Sequence, residues 1–88
     1  MEYYLAVFKS RTQTLRFYER LRGLGVPCDV VNTPRQASLG CGLSVKFPVS
    51  YLSHVRRMIS SENYYSYGGL FRVNGNTARL GEQADAEE

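Results

Sequence analysis

Apolar residues along this chain recur at two spacings, one typical of strands and one typical of helices. Residues 3–8 form an unbroken apolar and aromatic run, which predicts a buried strand. Ser10, with Gln13 three residues later, is a capping-box pattern, so we expect a helix to begin at Arg11. Gly23 and Gly25 end it. Its buried face carries residues at helical spacing, namely Thr14, Phe17, Tyr18 and Leu21.

The second half of the chain repeats the order of strand and helix. Residues 28–32 and 43–47 read as strands, the latter because apolar and polar residues alternate. A second helix follows from about residue 50, and residues 70–73 form the last strand. From residue 74 onward the periodicity is lost. We therefore predict one domain over 1–74 and a disordered acidic tail over 75–88. We expect Leu52, Val55 and Ile59 to form the buried stripe of the second helix, with Met58 beside it.

The resulting order, βαββαβ, predicts an α+β ferredoxin-like fold. In this two-layer sandwich, one four-stranded antiparallel sheet carries both helices on one face. Such a topology places three segments at one end of the sheet. They are the start of the first helix, the 33–42 loop and the loop that contains Tyr64, Tyr65 and Tyr67.

Cys41 stands between Gly40 and Gly42, just ahead of the third predicted strand. A free thiol has a pKa of about 8.5, so a nucleophilic role requires a lower value. The backbone around the two glycines would form a nest of N–H groups that holds an anion. Lys9, Arg11 and the first turn of the helix would supply positive potential, as would Arg35. The alternative is that Cys41 is only a small apolar residue at a strand start.

The sequence gives no comparable evidence of a functional role for the other candidate ligands and nucleophiles. Cys28 lacks glycine neighbours and reads as structural, and it lies too far along the strands from Cys41 for an internal disulfide. His54 is the only histidine, so one chain does not complete a four-ligand zinc site. The sequence contains no phosphate-binding glycine motif, and we predict neither a metal nor a cofactor.

Charge is unevenly distributed along the chain, whose net charge is +3. Residues 1–81 hold eleven basic and four acidic residues, a net charge of +7, while residues 82–88 carry −4. No apolar run is long enough to span a bilayer, and we find no secretory signal. With two cysteines and no export signal, we expect a cytoplasmic protein. The third strand lacks the aromatic signature of RNA-recognition domains, which makes RNA binding the weakest hypothesis.

One set of residues resembles a known family. Thr33-Pro34-Arg35, then Ser38-x-x-Cys41-Gly42 and a strand that ends at Phe47, are similar to a family of small bacterial selenium/sulfur carrier-like domains. The likeness covers about residues 4–73. Phe17 and Tyr18 depart from it, because small or charged residues are common there.

This resemblance implies a ferredoxin-like fold and a thiol that carries sulfur or selenium as a persulfide or its selenium analogue. We hypothesise a carrier in which Cys41 holds the transferred atom. Its partners would be a cysteine desulfurase or another sulfur or selenium donor, and an acceptor protein. The alternative is a non-catalytic binding or adaptor module, with a homodimer through the open sheet face as one form.

Overall fold

The computed structural model describes residues 2–35, 42–74 and 77–79. Within these ranges, two helices and five strands follow the predicted order, with one strand more than expected. The strands are β1 (Glu2–Phe8), β2 (Asp29–Asn32), β3 (Leu43–Pro48), β4 (Tyr67–Asn74) and β5 (Thr77–Arg79). The helices are α1 (Arg11–Gly23) and α2 (Leu52–Ser61), and a 3₁₀ turn (Val49–Tyr51) precedes α2.

Helix α1 begins and ends where the sequence predicts. Ser10 has an extended backbone, and its hydroxyl oxygen accepts a hydrogen bond from the Gln13 N–H at 3.2 Å. Such a cap satisfies one of the N–H groups that a helix start leaves unpaired. At the other end, Gly25 has φ of +83°, a left-handed conformation that favours glycine and turns the chain away from the helix. In the described part of the chain, no helix has the length and hydropathy to cross a membrane.

The strands form one antiparallel sheet in the order β2-β3-β1-β4-β5. With β1 in the centre, this arrangement confirms the ferredoxin-like prediction. β5 extends the sheet beside β4, where Val73 pairs with Ala78. It lies inside the 75–88 segment, for which the sequence predicted no regular structure. Residues 75–76 and 80–88 lie outside the described residues.

Both helices pack on the same face of the sheet, as predicted. The core on this face includes Phe17 and Leu21 of α1 together with Val55 of α2, each with an exposed fraction of 0–1%. From the sheet it takes Tyr4, Ala6, Phe8, Val45, Phe47 and Leu70.

The opposite face of the sheet carries a second apolar cluster. Leu5 and Val7 lie at its centre with exposed fractions of 0% and 1%, beside Phe71 and Val73. Successive residues of a strand point to opposite faces, so the unbroken apolar run of β1 places apolar side chains on both. A homodimer through this face stays a prediction, and its central residues are already buried within one chain.

Candidate functional site

One end of the sheet collects the segments that the topology predicted there. β1 and β2 finish at this end, β3 and β4 start at it, and α1 begins beside it. We call it the upper edge. Two backbone hydrogen bonds join its segments, from Lys9 N–H to Ser66 O at 2.8 Å and from Thr33 N–H to Gly42 O at 2.9 Å. The upper edge is therefore held together by the main chain itself.

Gly42 brings the chain into β3 and follows Cys41 directly. Its φ is +79°, a left-handed conformation that an L side chain rarely adopts. Apart from its chain neighbours, a Cβ atom at this position would meet no atom of the described residues within 4 Å, so backbone conformation rather than crowding favours glycine here. Of the residues predicted for this site, Ser38, Gly40 and Cys41 lie outside the described residues.

Thr33 fixes the other end of the 33–42 loop. Its hydroxyl lies 2.5 Å from the hydroxyl of Ser44, which is completely buried. Together with the bond to Gly42, this contact ties the end of β2 to the start of β3. Pro34 is half-buried and Arg35 is exposed, so the chain leaves the sheet at this point.

Two of the predicted cations, Lys9 and Arg11, lie two residues apart in the chain at the upper edge. β1 pairs with β3 as far as Val7 and Ser44, and Lys9 follows the end of β1. Lys9 is exposed, as is Arg11 at the first position of α1. Two exposed cations thus lie at the upper edge, where β1 ends and α1 begins.

A buried network of hydrogen bonds that the sequence did not predict connects the start of α1 to the segment before β4. The Gln13 side-chain oxygen accepts hydrogen bonds from the Ser66 N–H at 2.9 Å and from the Ser66 hydroxyl. The Ser66 hydroxyl in turn accepts from the Ser10 N–H at 3.3 Å. Gln13 therefore does not complete a reciprocal capping box with Ser10. It binds a segment that is 53 residues away in sequence.

The tyrosine-rich loop mostly packs against the core. The centroid of the Tyr64 ring lies 5.6 Å from that of Phe8 and 5.2 Å from that of Phe17. The ring centroids of Tyr67 and Phe8 are 5.8 Å apart. Burial, followed by a hydrogen bond to the Glu62 carboxylate, raises the pKa of Tyr64 to about 12. Tyr65, by contrast, is 81% exposed.

The sequence of the chain matches one family of proteins. Residues 3–71, most of the chain, match the family described as "Putative Se/S carrier protein-like". The chain belongs to this family. No curated protein and no solved structure matches it.

The second cysteine of this Se/S carrier-like protein lies in the core. Cys28 is 6% exposed, and its Sγ lies 3.8 Å from the Tyr18 carbonyl oxygen. Burial raises the pKa of the Cys28 thiol, which disfavours the reactive thiolate. Cys28 directly precedes β2, at the end of the sheet opposite to Gly42. These observations agree with its predicted structural role.

Proposed function

We propose that this protein carries sulfur or selenium on the thiol of Cys41. The observation that carries the proposal is the family match, which extends over residues 3–71 and includes this cysteine. Cys28 is unsuited to this role, because it is buried and its raised pKa favours the protonated thiol. Cys41 is the only other cysteine in the sequence.

Loading would proceed by transfer of a sulfane sulfur from a donor persulfide, such as the one formed on a cysteine desulfurase. The Cys41 thiolate attacks the outer sulfur of the donor, a new S–S bond forms, and the donor's own S–S bond breaks. The donor leaves as a thiolate, so the electrons balance without an added oxidant or reductant. An acceptor nucleophile then takes the outer sulfur and releases the Cys41 thiolate. With selenium, the outer atom of the donor is selenium and the steps are the same.

The exposed cations at the upper edge suit such an anion. Lys9 and Arg11 are exposed cations at the upper edge, and Arg35 is exposed just after the end of β2. Nearby positive charge lowers the pKa of a thiol, because it stabilises the thiolate. We assign to the N–H groups of Gly40 and Gly42 the role of holding the loaded anion. Thr33, Pro34 and Ser38 would shape the loop around the thiol.

Intact-protein mass spectrometry tests this proposal. The protein is incubated with a cysteine desulfurase and cysteine, and then measured without reductant. We expect a mass gain of about 32 Da for sulfur, or about 79 Da when selenocysteine is the substrate. Cys28→Ser, the matched control, should gain the same mass, whereas Cys41→Ser should gain none.

The absence of an adduct on the wild-type protein, or an undiminished adduct on Cys41→Ser, would refute the carrier function. The pH dependence of Cys41 alkylation then separates the alternatives. A midpoint near the ordinary thiol pKa of about 8.5, with slow reaction, would fit an adaptor in which Cys41 is a turn residue.

A further inference from the structure

A groove lies between the C-terminal part of α1 and helix α2. Its volume is about 330 Å³. Leu21, Val26 and Met58 form an apolar floor, with exposed fractions of 1%, 5% and 6%. His54, Arg57 and Ser61 line the α2 side, and Arg20 lines the α1 side.

Leu24 gives this groove an exposed apolar side chain. It follows Phe17 by seven residues, two helical turns, and so continues the buried stripe of α1. However, Leu24 is 57% exposed, whereas Phe17 is 0% and Leu21 is 1% exposed. The apolar stripe that begins with Phe17 and Leu21 therefore continues to Leu24, which α2 and the sheet leave mostly uncovered. Exposed apolar surface beside polar residues is typical of interaction sites.

The groove itself is lined by Arg20, Arg57 and Glu62, a net charge of +1, and the two helices that form it are more basic as a whole. Together α1 and α2 contain six arginines and one acidic residue, Glu19, a net charge of +5. Glu62 follows α2 and accepts hydrogen bonds from Arg20, with which it forms a 2.8 Å ion pair. Arg57 is exposed on the opposite side of the groove. The planar guanidinium group binds carboxylates in two-bonded geometry, and arginine is enriched at protein interfaces.

We propose that this groove docks an acidic amphipathic segment of a partner protein. One apolar side chain of the partner would enter beside Leu24, and its carboxylates would bind Arg57 and the outer side of Arg20. Charge complementarity selects an acidic partner, and the aliphatic floor selects a protein over RNA. RNA-binding surfaces stack bases on aromatic rings, and among the residues that the structure describes no Phe, Tyr or Trp lines this groove. The proposal does not depend on the chemistry of Cys41.

Fluorescence anisotropy tests the docking with a defined probe. The probe is a labelled helical peptide of about four turns, with leucines on one face and Glu or Asp elsewhere. At low salt we expect saturable binding with a Kd on the order of 10 μM. A second peptide of equal charge, with serine in place of leucine, should bind at least about 10-fold more weakly. A short single-stranded RNA of similar charge should not compete.

Paired variants locate the binding. Leu24→Ser should raise the Kd about 5-fold, and its matched control is Leu15→Ser, which changes an exposed leucine within α1. Arg57→Glu should raise the Kd by at least about 10-fold, whereas Arg22→Glu should change it by less than about 2-fold. Cys41→Ser should bind as the wild-type protein does, which separates this test from that of the carrier function.

Four results would overturn the docking proposal. The first is no saturable binding of the leucine peptide, and the second is equal binding of the serine peptide. The third is competition by the RNA, which would assign the basic surface to nucleic acid. Equal effects of Leu24→Ser and Leu15→Ser would also overturn it, because binding would then not take place in this groove.

Discussion

The hydrogen bonds of Gln13 should contribute a large share of the stability of the upper edge. Gln13 is 4% exposed and Ser66 is 8% exposed, so water does not readily replace the bonds between them. Gln13→Met removes the acceptor oxygen and keeps a side chain of similar length. The Ser66 N–H, which donates to that oxygen at 2.9 Å, then loses its partner in a buried position.

The expected cost follows from these two bonds. A buried N–H group left without an acceptor costs about 1–3 kcal/mol, and loss of the bond from the Ser66 hydroxyl adds about 1 kcal/mol. Methionine fills nearly the same volume, so no large cavity contributes. We therefore expect Gln13→Met to lower the free energy of unfolding by about 2–4 kcal/mol. This is a substantial part of the 5–15 kcal/mol that is typical of small domains.

Urea denaturation measures this loss. For a domain of this size the m value is about 1 kcal/mol per molar urea, so the midpoint should fall by about 2–4 M. Glu19→Met introduces the same side chain at an exposed position of α1 and should change stability by less than about 0.5 kcal/mol. A double-mutant cycle with Ser66→Ala should show a coupling of about 1 kcal/mol. A Gln13→Met midpoint within about 0.5 M of the wild-type value would refute the reasoning.

Two further predictions concern Tyr64 and Cys28. The pKa of Tyr64 is about 12 in the folded protein and about 10 when unfolded, so its contribution to stability is complete below pH 10 and falls as the pH rises toward 12. Urea midpoints at about pH 9 and 11.5 should therefore decrease less for Tyr64→Phe than for the wild-type protein, and equal decreases would contradict this. In Cys41→Ser, burial should protect the remaining thiol of Cys28 from iodoacetamide until urea unfolds the protein. Alkylation of the folded variant at the rate of a free thiol would show that Cys28 is accessible.

The element order could be predicted because its signals are local. The apolar run that became β1, the cap at Ser10 and the alternation in β3 each lie within a few neighbouring residues. Pairing directions then followed from the topology, and with them the convergence of segments at the upper edge. β5 was missed because a three-residue edge strand is held by the backbone of β4 and needs no apolar pattern of its own.

The contacts that fasten the site were beyond sequence reasoning for a different reason. Gln13 reaches Ser66 across 53 positions, and Arg20 reaches Glu62 across 42. Taken alone, Gln13 fits a capping position and Arg20 fits the charged face of a helix, so neither points to a distant partner. Only the packing of α1 beside the segment that follows α2 makes them partners. The groove beside Leu24 likewise depends on where α2 stops covering α1.

The position of the groove relative to the upper edge connects the two proposals. Helix α1 runs from Arg11 at the upper edge to Arg20 at the groove, nine residues or about 14 Å along its axis. A docked partner helix of about ten residues covers this distance. A donor or acceptor whose helix lies along α1 in this groove would extend to the upper edge. Separate sites for docking and for transfer would let partner choice depend on Leu24 and Arg57, while the transfer step depends on Cys41.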